Sequence, residues 1–105
     1  MLPSMEYWKS PSYKEGDPFI HEDKVQDVLY IVRADGYIFT SSPTPNDGYL
    51  ILDFDRDGTT VGARLLDARG MPAAEWKRHP DRHLIPRDLL FGLDEWFDAK
   101  ETGNV

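Results

Sequence analysis

The sequence predicts an α+β fold, a small antiparallel sheet of about four strands packed against a C-terminal amphipathic helix. Three observations predict it. Two apolar runs, residues 49–54 and 60–66, flank a tight acidic turn. A continuous apolar run, Val28-Leu29-Tyr30-Ile31-Val32, precedes them, and Leu89, Leu93, Trp96 and Phe97 recur at helical spacing near the C-terminus.

The paired runs carry the strongest signal. If Phe54 faces Thr59, then Leu52 faces Val61, Leu50 faces Ala63 and Tyr49 faces Arg64. Because strand side chains alternate, one face then collects Leu50, Leu52, Phe54, Val61, Ala63 and Leu65. Each large apolar side chain buried there contributes on the order of 1.5–3 kcal/mol, and a slip of one residue would drive Arg64 into that core. The opposite face carries Tyr49, Ile51, Asp53, Gly62, Arg64 and Leu66, a mixed set that predicts partial cover by the N-terminal segment or another subunit, with Tyr49 and Arg64 stacked across the strands.

The turn itself, Asp53-x-Asp55-x-Asp57-Gly58, opens like a calcium loop. The closing carboxylate of such a loop would fall at Arg64, a cation, and the flanks are β-branched and leucine-rich rather than helical. Asp-Gly at a hairpin turn, where positive φ is needed, accounts for the residues better.

With 105 residues, the chain predicts one domain and one core. Hydrophobic residues make up 40%, which is a globular composition. With no cysteine there is no disulfide framework, thiolate metal site or cysteine nucleophile, which suits a reducing compartment. No leader-like or membrane-spanning apolar run is present, so the expectation is a cytoplasmic protein. The net charge of −7 disfavours nucleic acid and anionic lipid, and favours a basic protein partner.

In chain order, residues 1–18 mix Pro3, Pro11, Gly16 and Pro18 with Tyr7, Trp8 and Tyr13, and read as an extended arm docked on its own sheet. Residues 19–102 form the α+β domain and residues 103–105 a tail. Residues 19–26 are a polar approach to the first strand, residues 28–32. Asp35-Gly36 reads as a hairpin turn into a second strand at residues 37–40, giving a four-stranded meander. If that turn is not a hairpin, the second strand pairs instead at the far edge of the sheet. Residues 41–48 are loop by composition.

Asp27-Val28-Leu29-Tyr30-Ile31, followed by Leu50-Ile51-Leu52-Asp53-Phe54-Asp55, Gly58, Val61-Gly62 and Leu65-Leu66-Asp67-Ala68, resembles the small bacterial DUF2283 family over residues 25–69. Arg64 departs from the acidic residue usual there. The resemblance implies a compact sheet with a following helix, a bacterial or phage origin, and a setting similar to that of antitoxin-like partners of small basic toxins. It implies no catalytic residue and no cofactor.

Past Ala68 the composition turns basic, with Arg69, Lys77, Arg78, His79, Arg82, His83 and Arg87. Residues 71–78 predict a short helix with proline in its first turn. Trp76 within this patch is a candidate contact to a partner, set against the plainer reading of cations paired with local acids. His79 and His83, four apart, have the spacing of metal ligands, but Pro80 interrupts them and a third ligand would have to come from Glu75, Asp81 or His21, so no metal is assigned. Residues 86–100 predict an amphipathic helix that Gly92 weakens by about 1 kcal/mol relative to alanine, with two short helices as the alternative.

The functional expectation is a protein–protein interaction module, antitoxin-like or an assembly subunit, as a homodimer or with a basic partner. The alternative is a small-ligand-binding protein or minor enzyme with a pocket on the second sheet face. The candidate binding residues are Tyr30, Tyr49, Arg64 and Trp76.

Overall fold

The computed structural model describes residues 5–105, and the backbone alone for Met5 and Glu6. Six strands, β1 (Met5–Trp8), β2 (Phe19–Asp23), β3 (Val28–Val32), β4 (Thr40–Thr44), β5 (Asp47–Phe54) and β6 (Thr60–Leu66), form one antiparallel sheet in the order β1-β2-β3-β6-β5-β4. Two helices follow, α1 (Ala73–Trp76) and α2 (Arg87–Glu101). The α+β class is therefore as the sequence predicts, with two more strands than expected.

Both extra strands lie N-terminal. Met5–Trp8 is part of the expected arm, but it joins the sheet as an edge strand beside β2; residues 1–4 lie outside the described residues. The polar approach contains β2, whose Ile20 and Glu22 face the core side while Phe19, His21 and Asp23 face the other. Glu22 is tolerated in a buried position because Arg69 meets it with two hydrogen bonds, Nη2–Oε1 at 2.6 Å and Nε–Oε2 at 2.9 Å.

The expected meander is corrected. Gly36 N–H does bond back to the Arg33 carbonyl at 2.8 Å, yet the chain then runs on through exposed Tyr37, Ile38 and Phe39 to β4 at the far edge of the sheet. The alternative of a far-edge strand is the arrangement found, with the strand three residues later than residues 37–40. The reason is competition for neighbours. β3, apolar on both sides, is flanked by β2 and β6, so no edge of it remains for β4.

The central hairpin forms with a shifted register. Leu50 faces Leu65, Ile51 faces Arg64, Leu52 faces Ala63 and Asp53 faces Gly62, before a bulge brings Phe54 opposite Thr60. The turn is tighter than a four-residue loop: Asp55 N–H bonds to the Thr59 carbonyl at 2.9 Å, so only residues 56–58 lie within the closing pair, Asp55 Oδ1 accepts from the N–H groups of Asp57 and Thr59, and Gly58 sits at φ 82°. A two-residue shift preserves parity, so every side chain keeps its expected face. Tyr49, however, no longer stands opposite Arg64.

The core lies between one sheet face and the helices. Leu29, Ile31, Leu50, Ala63 and Leu65 meet Leu89, Leu93, Trp96 and Phe97 of α2, joined by Trp76. Helix α2 forms as expected and is continuous through Gly92, so the alternative of two short helices is not the arrangement found. A Cβ at Gly92 would stand 2.6 Å from Ile31 Cδ1 and 3.2 Å from Ile20 Cδ1, so the missing side chain is what lets the helix lie close on β2 and β3. No helix among the described residues is long and apolar enough to cross a membrane.

Candidate functional site

Opposite the helices, no described element covers the sheet. Strand pairing builds one transverse row on this face: Tyr7 faces His21, His21 faces Tyr30, Tyr30 faces Arg64 and Arg64 faces Ile51. The row begins with three rings in contact. His21 stacks on Tyr30 with centroids 4.9 Å apart and planes 14° apart, and Tyr7 tilts against His21 at 5.2 Å. Phe19 meets Tyr7 edge-on at 6.3 Å. Tyr7 is 71% exposed. His21 Nδ1 is buried without a hydrogen-bond partner, and burial lowers the pKa of the ring, favouring the neutral form.

The second half of the row is polar and closed on itself. Arg64 donates from Nη2 to Asp53 Oδ1 at 2.7 Å and from Nε to both carboxylate oxygens at 3.0 and 3.3 Å. Ser41 of β4 donates its hydroxyl to Asp53 Oδ1 at 2.6 Å and accepts from Arg64 Nη2 at 2.5 Å. Asp53 is only 1% exposed. Its hydrogen bond holds the guanidinium pKa above the ordinary value, although burial works the other way. Gly62 makes the space for this carboxylate: a Cβ there would stand 2.8 Å from the Ile31 carbonyl oxygen and 3.3 Å from Asp53 Oδ2. Chemically, this cluster is a neutralised pair on a sheet rather than an acid–base apparatus, because the Asp53 oxygen that could take a proton from Ser41 already accepts from Arg64.

Of the four residues singled out by sequence, the structure brings Tyr30 and Arg64 together as cross-strand neighbours. Tyr49 lies on the same face of β5, two residues from Ile51, and is 55% exposed. It is not the cross-strand partner of Arg64; Ile51 is. Trp76 belongs elsewhere. It is 0% exposed in the core, stacked on Phe97 at 5.2 Å, with its indole N–H bonded to Asp94 Oδ1 at 2.8 Å, so no partner reaches it.

Part of the basic segment is paired with acids that folding brings near. Lys77 binds Asp98 at 2.7 Å, and Arg82 grips Asp94 at 2.7 and 3.0 Å while lying over the Trp76 ring. His79 meets Asp47 at 2.5 Å, whereas His83 lies exposed in a separate turn, so the two histidines do not converge. Among the described residues, no three His, Asp or Glu side chains are placed to hold a metal ion. Asp53, the first position of the calcium-like spacing, points to Arg64 instead.

Sequence reasoning missed Tyr7, His21, Asp53 and Ser41 as members of one site. The signal for His21 was the alternation Phe19-x-His21-x-Asp23, which matches Val28-x-Tyr30-x-Val32 across a turn. For Ser41 no local signal exists, since only the pairing of β4 with β5 places it opposite Asp53. Compared with models of known protein families, with curated proteins and with solved structures, the chain matches none.

Proposed function

We propose that the chain is a protein–protein interaction module that docks through the helix-free face of its sheet. The observation that carries this reading is the ring row Tyr7–His21–Tyr30, lying with Phe19, Ile51 and Tyr49 on a face that no described element covers. Aromatic side chains with polar tips on a rigid sheet are suited to anchoring a partner, and soluble chains seldom leave such groups together in water. The closed Arg64–Asp53 pair adds little net charge to this face, so the face itself suits an apolar counterpart. The −7 charge of the whole chain favours a partner with a basic rim over a second copy of itself. The likeness of residues 25–69 to the DUF2283 hairpin supports the same reading, with an antitoxin-like or assembly-subunit role in the cytoplasm.

The test is affinity purification from the native host with wild-type bait and a Tyr30→Glu bait run in parallel, together with sedimentation of both proteins alone. A stoichiometric protein retained by the wild type and lost by Tyr30→Glu supports the reading. A second copy as partner would appear as a wild-type dimer that Tyr30→Glu dissociates. Monomers and indifferent baits in both experiments overturn it.

A further inference from the structure

On the helix side of the sheet, a cleft of about 670 Å³ opens between the loop after β1 and the first half of α2. This volume lies in the usual range for small-molecule sites, about 300–1,000 Å³. One wall is a loop tied to the helix. Leaving β1, the chain crosses toward α2, and Ser10 and Ser12 donate their hydroxyls to Glu95 Oε1 and Oε2 at 3.1 and 2.5 Å. Trp8, Tyr13 and Phe91 line the space, over a floor that includes Ile20. Phe91 is 60% exposed on the solvent side of an amphipathic helix, a position where a polar residue would otherwise stand.

The charges sort unevenly. Asp88 is neutralised by a bidentate Arg33, at 2.9 and 3.0 Å. Glu95 and Asp17 are engaged by uncharged donors, two hydroxyls and the Lys14 backbone N–H, with no ion-pair partner among the described residues. The lining cations, Lys14 and Arg87, are long, exposed side chains with no ion-pair partner among the described residues to fix them in place. Of the Asp17 and Glu95 carboxylates, Glu95 is the one held by two side-chain hydroxyls, in a lining that includes the rings of Trp8, Tyr13 and Phe91. The protein already shows the matching contact next to it: the Lys9 ammonium lies over the Tyr13 ring, 5.0 Å from its centroid.

We propose that this cleft binds a small organic cation with an apolar body, such as an alkyl- or arylammonium, its charge against Glu95 and its body against Trp8 and Phe91. The −7 charge of the chain raises the local concentration of such a ligand. Neither the sheet face nor its partner enters this inference, so the two readings fail separately.

Titration of the full chain with benzyltrimethylammonium, followed residue by residue by NMR, tests it. The expected result is saturable shifts confined to residues 8–20 and 87–95. Glu95→Gln weakens binding about tenfold or more and Phe91→Ala about fivefold, as loss of a charge contact and of an aromatic wall predict. Ser12→Ala, which loosens the loop but keeps the charge, costs less than Glu95→Gln. The neutral isostere 3,3-dimethylbutanol binds more weakly than choline. Shifts that do not saturate, shifts that map elsewhere, equal losses from Ser12→Ala and Glu95→Gln, or tighter binding of phenylacetate through Lys14 and Arg87 would each overturn the proposal.

Discussion

Arg64 closes on Asp53 across the central hairpin, with Nη2–Oδ1 at 2.7 Å, from diagonal rather than directly opposed positions: Ile51 faces Arg64, and Asp53 faces Gly62. The diagonal reach depends on the absent side chain at Gly62, which leaves the carboxylate room to lie flat against the sheet. The pair is thus a product of register and of one glycine together.

Removing the cation leaves a buried carboxylate with only Ser41 for company. Arg64→Ala is expected to lower the unfolding free energy by about 3 kcal/mol, the low end for orphaning a buried charge since Arg64 is itself partly exposed. The double variant Arg64→Ala/Asp53→Ala recovers part of that loss. Urea denaturation of the two variants checks both statements.

Gly62→Ala places a methyl 2.8 Å from the Ile31 carbonyl oxygen, which is backbone and cannot turn aside. A loss of about 2–3 kcal/mol follows from such overpacking. The Arg64 guanidinium resonances should shift as the carboxylate is displaced, which NMR detects directly.

Gly92→Ala sets two effects against each other. Alanine improves helix propensity by about 1 kcal/mol, but its methyl would stand 2.6 Å from Ile31 Cδ1 inside a packed core. Packing dominates, because Ile31 is 1% exposed in the packed core and its terminal methyl must move for the new one to fit, so the variant is expected to melt lower than wild type by differential scanning calorimetry. A higher melting temperature would show that the Ile31 and Ile20 methyl ends turn aside and that helix propensity decides.

Two groups give opposite ends of the pH response the same sign. For Asp94, burial is the largest influence and raises the pKa, but the hydrogen bonds from Arg82 and Trp76 outweigh it and hold the group below 3.8. Its contribution to stability is present above that value and lost as pH falls through the folded pKa. In Arg82→Ala the Asp94 carboxyl should titrate at higher pH, measured by carboxyl NMR.

His21 acts nearer neutrality. Burial depresses its pKa below 6.5, so in acid the unfolded chain takes up a proton more readily than the folded one. Stability is complete above about pH 6.5 and declines as pH drops through that value. His21→Phe should flatten the decline between neutrality and the carboxylate range, and an unchanged slope in chemical denaturation at stepped pH would refute the assignment.

Part of this architecture is legible locally. The hairpin alternation assigns each side chain to its face even though the register is off by two, because an even shift conserves parity. Leu89, Leu93, Trp96 and Phe97 announce α2 by spacing, and all four are buried. The site is half legible: Tyr30 and Arg64 stand out as a ring and a cation on a mixed face. Trp76 misleads, since its indole is satisfied by Asp94, eighteen residues away, and nothing around it in the chain says so.

What the sequence by itself determined is periodicity: which residues turn inward, where the helix runs, and that the chain has one core. The tertiary structure alone decided strand order, the strand character of residues 19–23 and the membership of the ring row. Glu22 becomes a strand residue because Arg69 reaches it from forty-seven positions on, His21 because Tyr30 offers a face to stack on, and β4 moves to the far edge because β3 is already flanked on both sides. Local preference is set by neighbours in the chain, whereas the free energy of pairing is set by partners that folding brings near.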